Sequence, residues 1–299
     1  MTQDDKPLEY IQRTRAYYLA LGYETPYKWA HYQTVPFTRL GKPLNQCRVA
    51  IATTASPYHP DKGDQGPGAP YNSAAKFFSA YRLPVTPWPD VRISHIAIDR
   101  DHTTAEDLGS YFPLAALQLA EQNGLIGESA KHFYGLPTNR SHSTTLKIDS
   151  QALLSHVRND GIDIVLLVPN CPVCHQSVSI AARVLEANGV VTVIMGCAKD
   201  IVEHVGVPRF VFSDFPLGNS AGIPNDDTSQ NEILYLALNL AVTATLPRST
   251  SQSPFQWPGA ANWKDDYSNA NKLSEEEIQQ RRIAFDKDKE TAKSVQYRR

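Results

Sequence analysis

Apolar residues recur along this chain in two rhythms. Short, nearly continuous runs at residues 48–54, 93–99, 163–168, 190–195 and 209–213 are bounded by polar or turn-forming positions. Runs of that kind predict strands buried on both faces. Between or after several of them, at roughly 113–123, 150–160, 174–188 and 228–244, apolar positions fall three and four residues apart, the spacing of a helix face. Strands alternating with helices predict an α/β fold, a mostly parallel, doubly wound sheet with helices on both faces. Ligands in such sheets lie beyond the carboxyl ends of the strands. Segments 53–68, 99–107, 170–175 and 214–226 leave those ends and are expected to converge on one site.

The flanks read differently. A helical pattern over 7–21 stops at Gly22, and 23–46 is aromatic and turn-rich, with Tyr27, Trp29, His31, Tyr32 and Phe37. After Pro247 the chain is polar and aromatic, then charged from Ser274, where Glu277 completes a capping box for a final helix. The expected organisation is an N-terminal extension (1–46), an α/β catalytic core (47–246) and a C-terminal arm (247–299). The aromatic extension and the charged helix suggest a homo-oligomer. Residues 56–72, rich in Pro, Gly and Asp, form either a functional loop or an irregular one.

Composition narrows the classes. With 299 residues the chain buries a sizeable core, and a net charge of −2 without blocks of one sign argues against a nucleic-acid partner. The longest apolar stretch, within 233–244, carries Asn239 and reads as a core helix rather than a membrane span. The start lacks the apolar run of a secretory signal, so a cytoplasmic location with reduced thiols is expected. Four cysteines are too few for a disulfide scaffold in a chain this long.

Two of those cysteines carry the chemistry. The run Asn170-Cys171-Pro172-Val173-Cys174-His175 follows a buried strand and opens a helix. A sulfur at a helix N-terminus meets backbone N–H groups and the positive end of the dipole, which favours a thiolate. Cys171 is therefore the expected nucleophile, Cys174 the resolving thiol and His175 a candidate proton donor. Other readings of the run are two buried structural thiols, the haem-attachment spacing, or a zinc site completed by Cys197, although no second paired-cysteine motif exists. Neither a metal nor a bound cofactor is expected. Candidate substrate contacts are Thr53 and Thr54 at a strand end, Asp99, Asp101 and His102 in a loop, and Asn170 before the thiols. Asp214 and Asn219 lie in a Pro/Gly-punctuated turn, and Arg140 is a guanidinium suited to a carboxylate.

Together with this cysteine run, Ser94-His95-Ile96-Ala97-Ile98-Asp99, Phe112-Pro113-Leu114, Asn123-Gly124-Leu125-Ile126-Gly127 and Asp214-Phe215-Pro216-Leu217-Gly218-Asn219 occur in an order that resembles a known family. It is that of the selenocysteine subunit of D-proline reductase and selenoprotein B of glycine, sarcosine and betaine reductases. The resemblance covers roughly residues 47–246. It implies that Cys171 stands where the family carries selenocysteine, which cleaves a carbon–nitrogen bond reductively, and that Cys174 is the partner cysteine. It also implies a second subunit bearing a pyruvoyl group.

The expected activity is cleavage of a carbon–heteroatom bond in a small, polar, amino-acid-derived molecule. Sulfur in place of selenium makes a thiocarbonyl carbon the easier target, so desulfurisation with release of sulfide is favoured. Attack on the sulfur itself, giving a persulfide that Cys174 resolves, is a variant. Reductive carbon–nitrogen cleavage, with an external thiol restoring the cysteines, is the alternative. A thiol–disulfide oxidoreductase acting on proteins and a non-enzymatic binding protein are the readings from other classes.

Overall fold

A computed structural model of the protein describes residues 6–259 and 262–297. Its helices are α1 (Tyr10–Ala20), α2 (Leu114–Gln122), α3 (His142–Thr144), α4 (Ser150–Asn159), α5 (Pro172–Glu186), α6 (Lys199–Val205), α7 (Asp227–Thr243), α8 (Trp263–Asp266) and α9 (Glu275–Tyr297). The strands are β1 (Arg48–Thr53), β2 (Ser56–Pro57), β3 (Tyr81–Pro84), β4 (Val91–Arg92), β5 (Glu128–Ser129), β6 (His132–Gly135), β7 (Ile164–Val168), β8 (Val191–Gly196), β9 (Arg209–Phe212) and β10 (Ser249–Gln252).

The main sheet runs β10–β9–β8–β7–β1–β6–β3, with short β5 also pairing with β1. All pairings in it are parallel except that of β3 with β6. Its residues alternate between two cores. Ile164, Leu166 and Val168 of β7 pack with Leu117 of α2 and Ile233 and Ala237 of α7. Val165 and Leu167 pack on the other face with Leu153 of α4 and Val178 and Ala181 of α5. Both faces are covered, as a doubly wound sheet requires.

Strand β1 is where the winding reverses. Its neighbours are β6 on one side and β7 on the other, and Thr53 lies level with both Gly135 and Val168. The segments leaving β1, β6 and β7 therefore open into one crevice, the switch-point position where such sheets bind ligands.

One expected strand is absent. Residues 93–99 bury Ile93 and Ile98 from an irregular path. The Arg100 guanidinium takes up the carbonyls of Ile96 and Ala69 at 2.6 and 2.7 Å, so no strand neighbour is needed for them. Strands β3, β6 and β10 went unforeseen because they are short and carry polar or mixed residues. The half-exposed edge strand β10 has no apolar rhythm at all. No helix among the described residues is long and apolar enough to cross a membrane.

The N-terminal segment is pinned to the core by a buried ion pair. Glu186, at the end of α5, meets Arg209 at 2.7 Å, both side chains fully buried. Glu186 also accepts the backbone N–H of Thr192 at 2.7 Å, and Arg209 donates to the carbonyl of Thr38. Removing one partner strands the other charge without water, which costs about 3–5 kcal/mol. Glu186→Ala is expected to lose that much stability in urea denaturation. A loss below about 1 kcal/mol would show the pair to be worth no more than a surface bridge.

Candidate active site

The local sequence forces a sharp turn from β7 into α5. Pro172 occupies the first helical position, where its missing N–H costs nothing and its fixed φ fits. Cys171 is then the N-cap, with extended backbone, and its Sγ accepts the N–H of Cys174 at 3.3 Å. Thr54, just past β1, braces the approach: its Oγ1 accepts from the backbone N–H and the side-chain amide of Asn170 at 3.1 and 3.2 Å. Its carbonyl lies 2.8 Å from Nε2 of His95. A ring nitrogen of His95 and the sulfurs of Cys171 and Cys174 all fall within 4.8 Å of one another. Thr138, in the segment after β6, places its hydroxyl 3.3 Å from Cys174 Sγ.

These groups form the base of a cavity of about 360 Å³, a size suited to a small molecule. Cys171 lines it and Cys174 lies fully buried behind. The two sulfurs divide their charge unequally. Burial pushes the Cys171 thiol well above its ordinary value, and the charge on Cys174 adds to the effect. Burial also disfavours a charge on Cys174, but hydrogen bonds from Cys171, His95 and Thr138 and the charge of His95 outweigh it, so its pKa falls well below the usual. Desolvation alone would depress His95, yet the Cys174 thiolate raises it. The shifts thus favour negative charge on Cys174 over Cys171, with His95 beside it favoured in its charged form. This differs from the expected low-pKa Cys171, because the expectation counted the helix dipole and left out burial and the second sulfur. Chemically the trio can deprotonate Cys171 as it attacks: the proton passes to Cys174.

His175 does not take the expected role of proton donor. Its Nδ1 sits 2.8 Å from the carbonyl of Cys171, and Nε2 accepts the backbone N–H groups of Cys197 and Ala198 at 2.9 and 3.2 Å. Burial drives its pKa down to about 4, so it is a neutral brace with both nitrogens engaged. The zinc reading through Cys197 also fails on geometry. Cys197 faces Ser220, and burial pushes its thiol up to about 12. The donor set His95, Cys171 and Cys174 is itself of the kind a soft cation can use.

The remaining candidates separate into two groups. Arg140 lines the cavity, while Thr54 and Asn170 support it from behind. Thr53 spends its hydroxyl on the N–H of Ala55. Asp99 holds His102 at 3.0 Å, Asn219 donates to Thr103 at 2.8 Å, and Asp214 pairs with Lys264. The Asn219–Thr103 bond and that of the Asp99 N–H to the Leu217 carbonyl tie loop 99–103 to loop 214–219, Asp214 fastens its loop to α8, and none of the four residues lines the cavity. Two of the four converging segments therefore stabilise the site's surroundings rather than face it. Sequence reasoning missed His95, Thr138 and Lys76, and the walls supplied by Tyr18, Trp29 and Phe285. His95 lay in a stretch that carried the family resemblance, and Thr138 two residues from Arg140. Lys76 left no signal.

Comparison with known proteins agrees with the resemblance. D-proline reductase subunit gamma of Acetoanaerobium sticklandii is 25% identical over 198 residues, which are 66% of this chain and 79% of that subunit. Glycine reductase complex component B subunit gamma of Peptoclostridium acidaminophilum is 24% identical over 208 residues, 67% of this chain. That match spans 46% of the glycine reductase subunit, less than half of its length. No family model and no solved structure matches.

The shared charge is testable. Cys174→Ser removes the negative neighbour that raises the Cys171 pKa, so the pH midpoint for alkylation of Cys171 by iodoacetamide is expected to move down from that of the wild type. Mass spectrometry of the Cys171 peptide across a pH series gives the answer. An unmoved or higher midpoint would place the charge on Cys171 instead.

Proposed function

We propose that this chain, a cysteine-bearing relative of the gamma subunits of D-proline reductase and glycine reductase, is an enzyme that breaks a carbon–heteroatom bond reductively with Cys171 as nucleophile. The observation that carries the reading is the cavity-facing Cys171 Sγ, within 4.8 Å of the Cys174 sulfur and a ring nitrogen of His95. Cys171 attacks the substrate carbon as its proton moves to Cys174, and the heteroatom leaves with a proton as an amine or its equivalent. Cys174 then attacks the Cys171 sulfur. A disulfide forms, and the carbon released from sulfur takes up a proton. In sum, one carbon–heteroatom bond and two thiols give a carbon–hydrogen bond, the protonated leaving group and a disulfide. An external thiol reopens the disulfide for the next turnover. A partner subunit that activates the amine through a carbonyl group fits this reading, since the relatives are named as subunits.

A second reading rests on the cavity walls. Tyr18, Trp29 and Phe285 offer flat apolar faces beside Arg140, which suit a planar thiocarbonyl ring bearing a carboxylate. Cys171 would add to the thiocarbonyl carbon, sulfide would leave, and water would release the oxo product with no net oxidation. A role in reducing protein disulfides is disfavoured: Cys171 is 5% exposed and sits inside the cavity, away from the reach of a folded partner.

The two chemistries part at Cys174 and at the reductant. Purified protein is incubated with cyclic and N-substituted amino acids and with carboxylate-bearing thiocarbonyl heterocycles, with and without dithiothreitol, following amine and sulfide. The reductive reading expects one equivalent of product per chain without reductant, a Cys171–Cys174 disulfide of equal amount, and turnover only with dithiothreitol. Cys171→Ser is expected to lose activity by on the order of a thousand-fold or more. Sulfide release that continues without reductant and survives Cys174→Ser would replace it with desulfurisation. Full activity in Cys171→Ser would overturn both.

A further inference from the structure

Five cations line the cavity, Arg15, Lys76, Arg140, Lys289 and Lys293, and none of them is in an ion pair among the described residues; Lys76 and Arg140 are the two that act on each other beside the thiols. Lys76, on the segment after β2, and Arg140, after β6, both line it, and neither takes part in any of the ion pairs found elsewhere in the fold. Lys76 has its Nζ 5.1 Å above the Phe78 ring. Arg140 is exposed at the rim, its guanidinium 5.8 Å from the Tyr18 ring centre and 5.5 Å from that of Phe285. Two positive charges facing one partly desolvated space repel each other unless an anion joins them. The Lys76 pKa is lowered, by burial first and by Arg140 second. Asp288, the carboxylate of the lining, is turned to the Ser73 hydroxyl at 3.5 Å.

We propose that Lys76 and Arg140 together bind the carboxylate of a small anionic substrate whose apolar body rests against the wall built by α1 and α9. The proposal rests on the reading of Cys171 as the reacting group and names what that group acts upon. Arg140 supplies a planar fork that matches a carboxylate in bidentate fashion, and the rings of Tyr18 and Phe285 hold it ready. Lys76 lies deeper, within electrostatic reach of Cys171 and Cys174. An anion bridging the two cations would set the adjoining carbon near Cys171. The wall residues Tyr18 and Phe285 come from the two extensions, outside the 47–246 region of resemblance. Substrate choice in this chain is therefore set by segments added to the core that carries the thiols.

Two alkylating agents of nearly equal size separate charge recognition from thiol reactivity. Iodoacetate carries a carboxylate next to the reacting carbon, and iodoacetamide is its neutral counterpart. Rates of carboxymethylation and carbamidomethylation at Cys171 are measured by mass spectrometry on the full chain, and their ratio is compared with that of free cysteine. The wild type is expected to favour iodoacetate by about tenfold relative to free cysteine, with the preference falling as salt is added. Arg140→Gln and Lys76→Met are each expected to return most of the ratio to the free-cysteine value, and Arg140→Lys to keep part of it. Taking a ratio cancels any general change in Cys171 reactivity, and thermal denaturation confirms that each variant is folded. A wild-type ratio equal to that of free cysteine, or one unmoved by both charge-removing variants, overturns the anion site and leaves the nucleophile reading standing. Failure of both reagents to label Cys171 overturns the nucleophile reading, and this proposal with it.

Discussion

One neutral imidazole holds the site together. His175 is four residues into the turn that begins at Cys171, and in a helix that spacing brings its ring back to the Cys171 carbonyl at 2.8 Å. Its other nitrogen accepts two backbone N–H groups at the start of α6. The β7–α5 and β8–α6 turns are thereby locked to each other through one side chain. The approach is so close that a Cβ at Gly196 would lie 2.7 Å from Nε2, which is why glycine ends β8. The arrangement works only while His175 is neutral, since a proton on Nε2 would set donor against donors. With its pKa depressed to about 4, this contribution is complete above the ordinary imidazole range and is lost as pH falls through that range towards 4.

With the turn held, the chemistry depends on how much charge so buried a place tolerates. Two thiolates at this separation with burial on all sides would be strongly unfavourable. One is acceptable, because Thr138, His95 and the Cys171 S–H all point their polarity at Cys174. The helix N-terminus stabilises a charge on Cys171 through the Cys174 N–H, yet burial and the neighbouring sulfur outweigh it. The resulting difference follows from position: Cys171 faces the cavity, and Cys174, whose pKa is lowered, stands behind it. Desolvation, which disfavours the Cys171 thiolate at rest, would under the proposed reading also strengthen its attack once substrate has displaced water from the cavity.

Much of this was legible in the sequence where residue type and periodicity agreed. Strands β1, β7, β8 and β9 are continuous apolar runs because both their faces are buried, and the helices between them carry clear stripes. The cysteine run announced its own turn through Pro172 and the strand before it. Legibility failed where a residue's role is set by distant partners. His175 was read as an acid from its adjacency to the thiols, although helical geometry sends its ring to a carbonyl instead. The 93–99 run, Ile-rich and read as a strand, is a loop that delivers His95 to the Thr54 carbonyl. Because β3 and β6 are too short to show a period, the segments beside them were not placed at the crevice, and Lys76 and Thr138 went unseen. Asp99, His102, Asp214 and Asn219 followed apolar runs as ligand contacts often do, but Asp99 pairs with His102, Asp214 with Lys264, and Asn219 donates to Thr103.

The extensions carry a different kind of information. Thr38 is tied to Arg209 and Glu186, and Leu21 accepts a hydrogen bond from Arg282 of α9 at 2.7 Å, so the two ends of the chain are fastened to the core and to each other. Tyr23 and Phe285 meet edge to face between them. An arm held only for stability would have no reason to turn the rings of Tyr18 and Phe285 towards Arg140 and the cavity that Cys171 lines. Here the contacts that fasten α1 to α9 are continuous with those that orient Arg140, so folding of the extensions and shaping of the cavity are one event. A wall on the chain ends can change without disturbing the thiol pair. Placing that wall on the chain ends, far in sequence from β7 and α5, leaves the packing of the sheet untouched when the wall is altered.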